Sequence, residues 1–234
     1  MNIEIYRDVD ASVPPKDNAF WDIIKGRTAF VHNPDTIVKT NRLRVFTIDR
    51  NVIFRRRPVE ALKMESIDGE TYVTSPMMAS DIEKKKDTST FLFSKDEIVI
   101  EYTRTGDCFN EIADLSRKTA IKTIEHLINK KVEETPTHDF LVDKKKIGGT
   151  STFKNPSGVH ESMIITMIYD PEEFKKYLSD RDDSPRTGYG ITSMKLEEES
   201  VSVDKFIDSF VYNFVCEFKK LNPQEEMNEY KNIP

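Results

Sequence analysis

Apolar positions recur along this chain in two rhythms, one of strands and one of helices. Short apolar or alternating runs predict strands at residues 3–6, 28–32, 36–40, 44–48, 51–55, 71–74, 90–93, 97–103 and 139–147. The runs at 44–48 and 51–55 flank a short polar turn, Asp49-Arg50, and together read as a hairpin. Residues 163–169 are nearly all apolar, which suits a strand buried on both faces.

Three stretches carry the helical rhythm with a start signal. Asp107 is placed to cap a helix whose Phe109, Ile112, Ala113, Ala120, Ile124, Leu127 and Ile128 share one broad face. In Asp170-Pro171-Glu172-Glu173 a capping carboxylate precedes a proline at the first helical position, which predicts a helix over Pro171–Leu178. Ser202 opens a last helix, with Phe206, Ile207, Phe210, Val211, Phe214, Val215 and Phe218 at three- and four-residue steps, a face that must dock on a core. Gly, Pro, Asp and Ser cluster in a loop at 179–190. Without strict alternation of strands and helices, the expected class is α+β: one domain over residues 1–221 with a mixed or antiparallel sheet flanked by helices, then a polar tail over 222–234 that frays.

Composition narrows the setting. The 234 residues include 14 Phe and 8 Tyr, enough to build a core without disulfides or a structural metal. No run approaches about 18 apolar residues, so no membrane partner is expected, and Met1-Asn2-Ile3-Glu4 lacks signal-peptide character. A net charge of -6 argues against a nucleic-acid partner. The clusters Arg55-Arg56-Arg57, Lys84-Lys85-Lys86 and Lys144-Lys145-Lys146 each read first as solvated loop charge. Two cysteines, Cys108 and Cys216, form no disulfide scaffold and fit a reducing, cytoplasmic location.

Several chemistries drop out. The 8 glycines form neither a Walker A loop nor a G-x-G-x-x-G turn, since Gly188-Tyr189-Gly190 lacks the third glycine. His32, His126, His138 and His160 include no pair four residues apart, so no metal ligand is assigned. There is no G-x-S-x-G elbow. Cys108 reads either as a nucleophile at a helix start or as a small packed side chain, and Cys216 as structural.

One segment carries more. His138-Asp139-Phe140-Leu141-Val142-Asp143-Lys144-Lys145-Lys146-Ile147-Gly148-Gly149-Thr150 reads as a strand, a basic turn and a second strand with a glycine pair, where backbone can approach a ligand closely beside a lysine. It resembles the lysine segment of the biotin/lipoate protein ligase superfamily, most closely the lipoate-protein ligase branch, in which Asn-Asp-(apolar) is followed by a turn and Lys-(apolar)-(small)-Gly. Its neighbours agree in order: His160-Glu161-Ser162 is similar to the family's His-Gly-Thr strand, Gly190-Ile191-Thr192-Ser193 to its Gly-Ile-(Thr/Ala)-Ser stretch, and residues 33–42 to its upstream strand. The likeness covers roughly residues 28–218.

The resemblance implies a biotin/lipoate ligase-like catalytic domain that activates lipoate or octanoate with ATP and Mg2+, and passes the acyl group to a lysine of a lipoyl-type carrier protein. The catalytic lysine would be Lys146. Substrate and nucleotide contacts would fall on Lys84, Lys85, Thr88, Ser89, Thr90, His138, Asp139, Gly148, Gly149, His160 and Thr192. The accessory domain of some lipoate ligases has no counterpart here and would be a separate subunit. The chain departs from the family at Lys84-Lys85-Lys86-Asp87-Thr88-Ser89-Thr90, where the family has Arg-Arg-x-x-Gly-Gly-Gly, at Ser94-Lys95 in place of His-Asp, and at His138 in place of Asn. Side chains at 88–90 would crowd a path that glycine leaves open. Two readings follow: an adenylating ligase, or a catalytically degenerate relative that binds a partner or small ligand. For Lys146 alone the simpler reading is a solvated turn lysine, and for His160 a structural role.

Overall fold

The structure is a computed structural model of the chain, and it describes residues 2–7, 41–57, 59–76, 90–106, 114–178, 190–224 and 228–230. In chain order its elements are β1 (Asn2–Ile5), β2 (Arg42–Thr47), β3 (Val52–Arg57), β4 (Lys63–Ile67), β5 (Glu70–Pro76), β6 (Thr90–Phe93), β7 (Ile98–Thr105), α1 (Leu115–Ile128), β8 (Glu133–Glu134), β9 (Asp139–Val142), β10 (Lys145–Asn155), β11 (Gly158–Ile165), α2 (Pro171–Leu178), β12 (Gly190–Ile191), α3 (Met194–Glu197), α4 (Val203–Leu221) and β13 (Asn228–Tyr230). The strands predicted at 28–32 and 36–40, the Asp107 cap and Cys108 lie outside the described residues.

A large mixed sheet runs β13-β1-β2-β7-β11-β10-β9-β8, with β12 alongside β10. Its strands alternate inward and outward as the pleat requires. Ile3 and Ile5, Leu43 and Val45, Ile98, Ile100 and Tyr102, and Val159, Met163 and Ile165 all join one core beneath α1 and α4. The phenylalanines of α4 stack along its buried face, with Phe206–Phe210, Phe210–Phe214 and Phe214–Phe218 centroids 6.3, 6.0 and 6.2 Å apart. Ser202 caps α4 by accepting from the Lys205 amide.

The opposite face of the large sheet meets a four-stranded sheet of order β4-β5-β3-β6. Phe46, Ile48 and Val99 pack there against Val52, Val73 and Phe93. This arrangement corrects the expected hairpin at 44–48 and 51–55. β2 pairs with β1 and β7, whereas β3 pairs with β5 and β6. Asp49-Arg50 carries the chain from one sheet to the other, because Phe46, Ile48 and Val52 bury more apolar surface face to face than side by side. On its far side the small sheet packs Ile53 and Leu92 near Phe174 of α2.

Three further differences have local causes. β4 is mostly exposed and charged, so no apolar alternation announces it, although its turn residues Asp68 and Gly69 adopt the positive φ angles of a tight hairpin. The apolar run at 163–169 leaves the strand after Ile165, and Ile168 is half exposed. Within the tail, Asn228–Tyr230 does not fray but pairs in parallel with β1.

Candidate active site

At residue 147 β10 changes neighbour. Lys145 and Lys146 pair with Gly190 and Ile191 of β12, whereas Gly148 onward pairs with β11. A register shift against β9 falls between Lys146 and Gly148, so Ile147 is a bulge. Ile147 is fully buried in the helix-side core. Bulges of this kind re-aim side chains, and here the bulge turns Lys146 to the face of the sheet that also carries Asp139 and Gly149.

Lys146 Nζ forms an ion pair with Asp139 Oδ1, the lysine side chain 38% and the aspartate 11% exposed. Thr137 also donates to Asp139, at 3.2 Å. A Cβ on Gly149 would stand 3.0 Å from Asp139 Oδ1 and 3.4 Å from Lys146 Cε, so the absence of a side chain there makes room for the pair. Gly148 faces the other way: a Cβ there would lie 2.7 Å from the Ile164 carbonyl oxygen.

The Gly190–Thr192 segment is tied to the same place. The Thr192 amide donates to the Lys146 carbonyl at 2.8 Å, and the Thr192 hydroxyl donates to Glu197, itself paired with Lys130. Thr192 therefore braces the lysine's backbone. His138 stands next to Asp139 with a positive φ of 62°, its Nδ1 2.6 Å from Glu134 Oε1. His160 is buried lower on the same face, Nδ1 3.6 Å from Glu101 Oε1, in a row of charge that continues through Arg44 to Glu4. It lies four residues along β11 from the Gly149 register position, about 13 Å away. Thr90 opens β6 opposite Arg55, whereas Lys84, Lys85, Thr88 and Ser89 lie outside the described residues.

The sequence did not single out Glu97. It sits in the turn before β7, buried, with Oε2 accepting from the Ser94 amide at 2.9 Å. Burial pushes its carboxyl up to about 8; the Ser94 amide, Lys146 and Thr166 draw it down, while Glu173 adds to the rise. Asn51 links these elements, donating to Glu173 of α2 and accepting from the Lys95 amide at 2.8 Å. Glu161 is a second buried carboxyl, on the helix side, where burial pushes it up to about 7 while Ser116 and Arg117 draw it down. The only signal for Glu97 was an acid abutting an apolar run, which many surface strands share. Among the described residues, no group of three or more His, Cys, Asp or Glu could hold a metal ion.

No protein-family profile matches the chain, and no curated protein matches its sequence. Solved structures match its fold. P. falciparum LipL1 in complex with lipoate superposes with a TM-score of 0.59 at 10% identity, covering 97% of this chain and 65% of that one. Lipoate-protein ligase A bound with ATP gives 0.57 at 9% identity over 97% and 89% of the two chains. A bi-partite lipoate protein ligase with its E2 lipoyl domain from Thermoplasma acidophilum gives 0.52 at 9% identity over 97% and 87%. Biotin protein ligases are further matches. The chain thus shares the fold of these lipoate- and biotin-protein ligase structures, a mixed α+β sheet flanked by helices. It spans under two thirds of the length of LipL1.

Proposed function

We propose that this chain is a lipoate-ligase-type enzyme that adenylates a lipoate-like carboxylic acid with ATP and transfers the acyl group to a carrier-domain lysine. The observation that carries this reading is the Lys146–Asp139 pair, held at a bulge beside Gly148 and Gly149. In the first step a carboxylate oxygen attacks the α-phosphorus of ATP and pyrophosphate leaves. In the second, a carrier amine that has lost a proton attacks the acyl carbon, the amide forms and AMP leaves. Lys146 would stabilise charge on the α-phosphate and then on the acyl oxygen; one preorganised donor of this kind contributes of order 3 kcal/mol. Asp139 holds the lysine in place, Gly149 leaves room beside it, and Thr192 fixes its backbone. Magnesium that arrives with ATP is held mostly by phosphate and water, which asks for no dedicated cluster in the protein. The acceptor would be a lipoyl-type carrier.

The substitution of Thr88, Ser89 and Thr90 for the family's glycines favours the second reading, a relative that keeps the fold for binding alone. Pyrophosphate exchange into ATP separates the two, with lipoate, octanoate and biotin offered separately to the wild type and to Lys146→Ala. Exchange with one acid that is lost in a folded Lys146→Ala protein supports the ligase. Absence of exchange with all three, with or without a lipoyl carrier and accessory subunit, favours the binding reading.

A further inference from the structure

Arg117, in the first turn of α1, is buried and surrounded by acids from three other places in the chain. Its Nε stands 2.6 Å from Glu134 Oε1, Nη2 3.1 Å from Asp114 Oδ1 and Nη1 3.5 Å from Glu161 Oε1. A planar guanidinium meets three carboxylates at once, which a lysine's single ammonium does not reproduce. Glu161 is also served by Ser116 and Thr152, and Asp114 by Lys154. Glu134 instead leads to the site, because its Oε1 also meets His138 Nδ1 at 2.6 Å.

His138 holds a left-handed backbone, unfavourable for a residue with a Cβ, immediately before Asp139. The turn is tied locally by the His138 amide on the Thr135 carbonyl at 2.9 Å and the Asp139 amide on Thr135 Oγ1 at 3.0 Å. A continuous run of contacts therefore joins Arg117, Glu134, His138, Asp139 and Lys146.

We propose that Arg117 is a positioning residue for the site: by anchoring Glu134 it holds the His138 turn in its strained form and so keeps Asp139 against Lys146. The inference rests on the reading of Lys146 as the working cation, but it can be tested without catalysis. The readout is the rate of reductive methylation of Lys146 relative to exposed Lys131, followed by mass spectrometry under native conditions. The proteins are wild type, Asp139→Asn, Glu134→Gln and the double variant Arg117→Gln/Glu161→Gln, which removes the buried cation together with one of its buried acids.

An amine released from its carboxylate meets the reagent more readily, so all three variants should modify Lys146 several-fold faster, relative to Lys131, than wild type does. A wild-type relative rate in the folded Arg117 and Glu134 variants, beside acceleration in Asp139→Asn, overturns the proposal and leaves Arg117 a structural ion pair. An unchanged rate in Asp139→Asn overturns it as well. If the double variant does not fold, Glu134→Gln, at the partly exposed link between Arg117 and His138, decides alone. Failure of the ligase reading shows separately, as wild type that gives no pyrophosphate exchange.

Discussion

Gly148 and Gly149 are neighbours that face opposite ways, so one added methyl group does different damage at each. In Gly148→Ala the new Cβ meets the Ile164 carbonyl, which belongs to the sheet and cannot move cheaply. The expected cost is about 1–3 kcal/mol by urea unfolding. In Gly149→Ala it meets the Asp139 carboxylate and the Lys146 stem, which are side chains and can yield. Stability should fall less there, and pyrophosphate exchange more. The reverse order would show that the pair does not depend on that space.

Glu97 adds a pH dependence at the same scale. Below about 4.5 its carboxyl is neutral whether the chain is folded or not. Between about 4.5 and about 8 the folded chain keeps a proton that the unfolded chain has released, so stability falls as pH rises through that window and levels off above it. The whole fall is at most of order 5 kcal/mol. Glu161, raised to about 7, acts in the same direction over a shorter window. Glu97→Gln should therefore flatten the decline of Tm between about pH 5 and 8, measured by scanning calorimetry at several pH values. An unaltered slope would place the carboxyl in a wetter setting than the structure gives it.

At the scale of elements, α2 shows how a local signal serves the site. Asp170 Oδ1 accepts from the Glu172 amide at 2.9 Å and from the Glu173 amide at 3.3 Å, the cap its sequence announced. The helix brings Glu173 to Asn51 and stacks Phe174 edge-on to Tyr169, centroids 5.0 Å apart. Asp170→Ala should cost about 1 kcal/mol by urea unfolding, as lost caps do. A larger cost would mean that α2 and the small sheet fold as one unit. β10 makes the complementary point: its residues read as strand, but the bulge at Ile147 that re-aims Lys146 falls where its neighbour changes from β12 to β11 and its register against β9 shifts.

At the scale of the molecule, α4 closes the core. Phe210 is fully buried between Phe206 and Phe214, and Tyr212 on the same helix is 70% exposed. Phe210→Ala should cost about 3–5 kcal/mol, whereas Tyr212→Ala should stay within about half a kcal/mol. Denaturant unfolding of the two variants checks the contrast. A similar loss in both would assign the helix an outer contact that this structure does not contain.

The chain alone determined what depends on near neighbours. Periodicity gave α4 and its buried face, the Asp170-Pro171 start gave α2, and the lysine–glycine segment gave the strand, turn and strand that carry Lys146, Gly148 and Gly149. The mixed α+β class and the fold shared with lipoate-protein ligase structures were legible for the same reason, since the order of short motifs survives where identity does not. The tertiary structure decided what depends on distant residues meeting. It split 44–55 between two sheets, because stacking Phe46 and Ile48 on Val52 buries surface that a hairpin would leave open. It placed Asp139 on Lys146, buried Glu97 within the lysine's field, and set Arg117 among Asp114, Glu134 and Glu161. Acids are common in this chain, and burial beside a particular cation, which only packing supplies, is what gives a few of them distinct chemistry.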